Sequence, residues 1–76
     1  MSTLDKLKKI IARITHGSEQ EILMETALKD IKADSLHWVQ IIIAVETTFG
    51  IEVDIDKMKG FTEIGDFVRY IDDSIK

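Results

Sequence analysis

The sequence predicts an all-α fold, a small bundle of three main helices plus one short helix, with a long loop between helices one and two. Three observations carry this. Apolar residues recur at helical spacing in three separate stretches. Capping residues stand at their ends: Gly17 and Gly50 behind the first two, Asp34 and Thr62 ahead of the last two. Finally, one short segment, residues 50–55, alternates apolar and polar residues, and a lone strand with no partner makes no sheet.

The first helix is expected over about Thr3 to His16, with Leu4, Leu7, Ile10, Ile11 and Ile14 on its buried face. Asp5, Lys6, Lys8, Lys9 and Arg13 occupy the other face, which reads as solvated, and Gly17 is expected to end the helix. Residues 18–33 then make a connection longer than most. Ser18-Glu19-Gln20-Glu21 has the form of a capping box, so a short helical turn is expected near Ile22. Ile22, Leu23, Leu28 and Ile31 are spaced to pin the loop onto the core.

The second helix, Ser35 to Phe49, starts at Asp34, whose carboxylate can accept from otherwise orphaned backbone N–H groups. Its end at Gly50 suits a left-handed residue. Ser35 therefore stands in the first turn, at the positive end of the helix dipole, where an added phosphate is stabilised. Such a serine is either a plain helix-start residue or an attachment point for a phosphate-bearing group. At 100° per residue Trp38, Ile42, Val45 and Phe49 form one apolar stripe. Leu36, Val39 and Ile43 form a second, well separated from the first. So small a domain cannot easily cover both, and the second is expected to be a partly exposed partner surface.

Residues 50–55 are expected as an extended loop, and Asp56-Lys57-Met58-Lys59 as a short helix ended by Gly60. Thr62 is the expected N-cap of the last helix, with Glu63 and Asp66 in its first turn. Ile64, Phe67, Val68 and Ile71 make its buried face, and Tyr70 lies at the edge.

Composition narrows the function classes. The 76 residues suit a single domain spanning 1–76, without cysteine for disulfides or thiolate metal sites. Only His16 and His37 offer imidazoles, with no carboxylate cluster at a metal spacing, so no metal is expected. A formal charge of −4 disfavours nucleic acid. No run is long enough to span a bilayer, and residues 1–5 resemble neither a signal nor a transit peptide, so a cytoplasmic location is expected. No nucleophile–base pair or paired carboxylates can be assembled. His37 cannot serve Ser35 as a base, since side chains two apart on a helix do not face each other. An enzyme is not expected.

Asp34-Ser35-Leu36 at the start of a second helix resembles the phosphopantetheine attachment motif of acyl carrier proteins. Three residues are weak evidence, but the register of the remainder is strong. Lys9-Ile10-Ile11, Thr26, Asp30, Glu46, Phe49-Gly50-Ile51-Glu52-Val53, Phe61-Thr62, Ile64-Gly65-Asp66 and Tyr70-Ile71 also stand as that family has them, over essentially the whole chain. The resemblance implies a carrier whose Ser35 accepts a covalent phosphopantetheine arm from coenzyme A. A magnesium-dependent phosphopantetheinyl transferase, the holo-carrier synthase, would act in trans, with Asp34 and Leu36 completing the motif. The arm ends in a thiol that carries acyl groups as thioesters to acyl-transferring or condensing enzymes. The implied partner face is Leu36, Val39, Gln40, Ile43 and Glu46. The implied acyl pocket, between the second and the short helix, is Trp38, Val45, Met58, Phe61 and Phe67. Trp38, Met58 and Phe67 are bulkier than the small residues typical there, which points either to ordinary core filling or to a short, polar or unsequestered cargo. A monomer is expected.

The chain departs from the family at Lys32, where glycine is usual, and at Asp54, where proline is usual. His37, Gln40, Thr47 and Thr48 stand where acids are common, so charge steering of partners is reduced. These differences point to a specialised carrier, for polyketide, lipid-modification or aminoacyl chemistry as readily as for fatty-acid synthesis. The alternative is a non-carrier interaction domain that kept the fold; the intact Asp34-Ser35-Leu36 speaks against it.

Overall fold

The computed structural model describes residues 2–75 as four α-helices, α1 (Thr3–Thr15), α2 (Ser35–Phe49), α3 (Ile55–Met58) and α4 (Ile64–Ile75), with two 3-10 turns, Glu19–Glu21 and Leu28–Asp30, in the long loop. There is no strand among them, only an isolated antiparallel bridge between Ala27 and Glu63. The all-α expectation holds.

The first helix is capped by Ser2, whose hydroxyl accepts from the Asp5 N–H at 3.1 Å. Its end differs from expectation. His16, not Gly17, adopts the left-handed conformation (φ 59°, ψ 31°), and both the His16 and Gly17 N–H groups bond to the Ala12 carbonyl. Histidine tolerates that region better than most non-glycine residues, so the helix stops one residue early. Leu7, Ile10 and Ile11 are buried, and α1 packs against α2 and α4. At the far end Thr3 hydrogen-bonds Asp72 of α4.

In the loop, the Ser18 hydroxyl accepts from the Gln20 N–H at 3.3 Å, giving the turn expected near Ile22. Ile22 is buried, and Leu28 and Ile31 pack on the core. Leu23, expected to pin the loop, is instead 48% exposed. What holds the segment there is polar: the Leu23 N–H donates to the Thr26 hydroxyl at 2.8 Å. The second turn, Leu28–Asp30, has no side-chain cap, which is why the sequence did not announce it.

The core is built from Leu7, Ile10, Ile11, Ile22, Ile41, Val45, Ile64, Phe67, Val68 and Ile71. On α2 the buried line therefore runs through Ile41 and Val45, with Trp38, Ala44 and Phe49 packed beside it. Ile41 belonged to neither expected stripe, and Ile42, expected in the core stripe, is half-buried at its edge. On the helical wheel the core side of α2 is turned by part of a turn from the expected one. The second stripe is exposed as expected.

The short α3 begins one residue sooner than expected, because Asp54 caps it, accepting from the Asp56 and Lys57 N–H groups at 2.9 and 3.4 Å. Tyr70 fixes the same corner: its hydroxyl accepts from the Asp54 N–H at 2.9 Å and donates to the Glu52 carbonyl at 3.3 Å.

The start of α4 corrects the role given to Thr62. Its hydroxyl and its N–H both donate to Asp66 Oδ2, at 3.1 and 2.9 Å, as does the Glu63 N–H at 3.1 Å. Thr62 is thus a donor to a carboxylate within the helix, not an acceptor capping it. The next two N–H groups are met by the long loop: Ile64 donates to the Thr26 carbonyl at 2.9 Å and Gly65 to that of Met24 at 2.8 Å. In return the Leu28 N–H donates to the Thr62 carbonyl at 2.9 Å. Gly65 suits this close approach, since a Cβ would lie 3.1 Å from the Met24 carbonyl oxygen and crowd it.

Candidate functional site

Asp34 precedes α2 in extended conformation, and its Oδ1 accepts from the His37 N–H at 2.9 Å. His37 closes a reciprocal capping box, its Nδ1 accepting from the Asp34 N–H at 3.4 Å. Glutamate or glutamine is the usual third residue of such a box. Here an imidazole nitrogen takes that place, so His37 helps hold the helix start from its third position. The spacing Asp-x-x-His was readable in the sequence, and the histidine's role as a cap was missed.

Ser35 follows as the first helical residue, exposed, with its hydroxyl making no hydrogen bond among the described residues. The reciprocal box fixes the backbone on either side of it. The outcome is a free primary hydroxyl at the positive end of a 15-residue helix, on a turn that is already ordered. A phosphodiester on that oxygen would meet the unsatisfied first-turn N–H groups, so the residues present suit such an attachment.

Leu36, Val39 and Ile43 continue away from Ser35 along one side of α2, exposed by 63%, 50% and 58%. Gln40 is exposed beside them. Glu46, expected on the same face, is half-buried, and its Oε2 accepts from the Val53 N–H at 2.9 Å. That bond ties the loop after α2 back onto the helix. The loop itself starts at Gly50, which has φ 67° and open space around its Cα, so glycine is needed there for the backbone alone.

On another side of α2 lies an open groove of about 350 Å³, lined by Leu28, Trp38, Ile42, Ile55, Met58 and Phe61 with Lys29 and Lys59 at its edges. Trp38 is one turn from Ser35. Of the five expected pocket residues, Trp38, Met58 and Phe61 are brought together here. Val45 and Phe67 are not: both are fully buried and fill the core instead. Phe61 connects the two regions, its ring centroid 5.8 Å from Phe67 and 5.7 Å from Tyr70. Leu28, Ile42 and Ile55 complete the lining and were not foreseen, because which turn of the long loop faces α3 is a tertiary outcome.

Two other features bear on the site's chemistry. Among the described residues no group of three or more histidines, cysteines or carboxylates could hold a metal ion. None of the described helices is long and apolar enough to cross a membrane.

Comparison with known proteins agrees with this geometry. The phosphopantetheine attachment site family matches residues 5–71. An acyl carrier protein of Clostridium perfringens (strain SM101) is 44% identical over 68 residues, covering 88% of this chain and 90% of its own. One from Streptococcus pyogenes serotype M3 is 30% identical over 76 residues and spans both chains completely. Among solved structures, the solution structure of a holo acyl carrier protein from Geobacter metallireducens superposes with a TM-score of 0.82 at 25% identity, covering 99% of this chain and 87% of that one. With an attachment-site match over most of its length, relatives at this identity and a free serine at the start of α2, the chain belongs to the acyl carrier protein family.

Proposed function

We propose that Ser35 is the point at which this carrier holds its covalent phosphopantetheine arm, and that acyl groups travel on the arm's thiol as thioesters between partner enzymes. The observation that carries this assignment is the unengaged Ser35 hydroxyl, presented at the start of α2 between the two halves of the Asp34–His37 capping box. In the loading step the Ser35 oxygen forms a bond to phosphorus. Coenzyme A gives up its adenosine bisphosphate half, and the hydroxyl proton passes to a base of the transferase. This chain supplies the oxygen, its fixed position, and the N–H groups that stabilise the phosphodiester. Its role is carriage, with the bond-making chemistry done by the partner enzymes.

The phosphopantetheinyl transferase and the acyl-handling enzymes are the partners, met at Ser35 and along Leu36, Val39 and Ile43. The groove beside Trp38 is the resting place for cargo. With Val45 and Phe67 packed solid beneath it, the groove supports a short cargo lying near the surface. Such a carrier belongs in the cytoplasm with coenzyme A and acts as a monomer.

The test is intact mass after incubation with coenzyme A, magnesium and a promiscuous phosphopantetheinyl transferase. A single arm is expected on the native chain and none on Ser35→Ala, which should keep its melting temperature within about 2 °C. An arm on Ser35→Ala, or no arm on the native chain, would overturn the assignment.

A further inference from the structure

The groove beside Trp38 carries a charge pattern of its own. Its lining is apolar apart from two residues, and both of those are lysines, one on each wall: Lys29 from the long loop and Lys59 from the residue that ends α3. No carboxylate lines it, although the whole chain is −4; the acids nearest in sequence, Asp30 and Asp56, lie outside the lining. Lys29 is exposed and makes no hydrogen bond or ion pair with the described residues. Lys59 pairs with Asp56 at 3.7 Å, with both side chains in water, a contact that contributes little and exchanges readily. Beneath the groove Val45 and Phe67 are fully buried and close the floor. A short chain can therefore lay its methylenes on Trp38, Ile42 and Met58, but its far end stays at the level of the lysines.

We propose that the groove favours short acyl groups that end in a carboxylate, with Lys29 and Lys59 receiving that terminus from opposite walls. The inference rests on the reading of Ser35 as the loading site and names the class of cargo its arm holds. A long alkyl chain finds no depth here, and a short neutral one gains only the apolar contact. An aminoacyl group would bring an ammonium between two others and be repelled. A carboxylate on a few methylenes complements both the apolar floor and the cationic rim. Exposed lysine–carboxylate pairs are weak between free molecules, but cargo on the arm is tethered within reach, so the pairs have only to bias docked against free. Each pair shifts that ratio by up to about fivefold, and the two together by about three- to tenfold. The arm's own phosphodiester is a poor competitor for the lysines, since it is fixed on Ser35 and met by the first-turn N–H groups.

The test loads the chain with glutaryl or pentanoyl arms, from the corresponding acyl-coenzyme A and a promiscuous phosphopantetheinyl transferase, and checks each product by intact mass. The two cargoes have equal chain length and differ in the terminal carboxylate. In 20 mM sodium chloride the glutaryl form is expected to melt about 2–6 °C above the pentanoyl form, with the larger change in Trp38 fluorescence. Most of that difference should be gone at 300 mM, where exposed pairs are screened. Lys29→Gln with Lys59→Gln should erase the difference, and Lys29→Glu with Lys59→Glu should reverse it. Lys8→Gln with Arg13→Gln on α1 makes the same change in net charge and should leave it intact. The comparison is between cargoes within each variant, so a change in background stability cancels. Equal melting of the two forms of the native chain would overturn the proposal while leaving Ser35 loaded, and so would a difference that survives loss of both lysines. An equal response of both cargoes to the lysine substitutions would assign the lysines to the arm's phosphate and overturn it too. A chain that takes no arm would overturn the functional reading and this inference with it.

Discussion

The corner formed by Tyr70 gives the sharpest test of how the groove is held. Tyr70→Phe removes one oxygen and nothing else: the ring and its contact with Phe61 at 5.7 Å remain. Two hydrogen bonds are lost, the Asp54 N–H losing its acceptor at 2.9 Å and the Glu52 carbonyl its donor at 3.3 Å. Both partners are exposed, so water can replace the hydroxyl and neither becomes a buried orphan. The second bond is long and counts for little. The net cost is therefore that of one ordinary hydrogen bond, about 1 kcal/mol. In a domain of this size that lowers Tm by about 4–8 °C. The loss should be local first, because the four-residue α3 is held by its Asp54 cap, by Met58 and by this hydroxyl. Thermal melts should show the Tm change, and amide hydrogen exchange should show protection falling at residues 54–58 by more than in α1. An unchanged Tm with unchanged exchange in α3 would refute the reasoning, and so would uniform loss of protection over all four helices.

Two other outcomes are expected. Asp66 accepts from the Thr62 and Glu63 N–H groups, the Arg69 guanidinium at 2.6 Å and the Thr62 hydroxyl, which hold its carboxyl well below its ordinary value of 3.8. The folded chain thus binds this proton less readily than the unfolded one, so the stabilisation is complete above about pH 4 and is lost as pH falls below it. Asp66→Asn should be less stable at pH 7 and converge on the native chain in acid; denaturation curves parallel at every pH would count against this. For the cargo, forms of the loaded carrier bearing acetyl, butyryl, octanoyl and decanoyl groups should show Tm rising over the short chains and then levelling or falling, since a longer chain has to displace aromatic packing at about 1–3 kcal/mol. A steady rise through decanoyl, with Trp38 fluorescence changing alongside, would show a deep pocket.

Which parts of this molecule could be read in advance follows from how local their causes are. The bounds of α2 were legible because Asp34 and Gly50 act within a turn of themselves, and the exposed strip because its period lies within one helix. The residue on which the core centres, Ile41, was not legible. Three successive isoleucines leave the wheel almost evenly apolar, and only the neighbours decide which one turns inward. The end of α1 was misplaced by one residue because glycine is the commoner left-handed residue, and His16 took that conformation in its stead. The exposed first-turn position of Ser35 was evident from the Asp34 cap before it. Val45 and Phe67 were assigned to the groove through the family resemblance alone, whereas their full burial in the core is a property of the assembled bundle. Thr62 was misjudged for a related reason: its position suits a cap, but the acceptors for α4 come from backbone carbonyls about 40 residues away, on which no side chain leaves a mark.

Those carbonyls make the two walls of the groove mechanically unequal. On one side stand Leu28 and Lys29, in a loop whose backbone is stitched through Met24, Thr26 and Leu28 to the first turn of α4. Pushing that wall outward would strip acceptors from Ile64 and Gly65 at a helix terminus, where few other acceptors are on hand. Opposite stand Ile55, Met58 and Lys59, on a single helical turn fastened by one side-chain cap and one tyrosine hydroxyl. A guest entering beside Trp38 therefore meets a stiff wall and a compliant one. The opening should travel in one direction, with α3 swinging away while the long loop keeps its place, so that the size of cargo admitted is set by how far that short helix can yield.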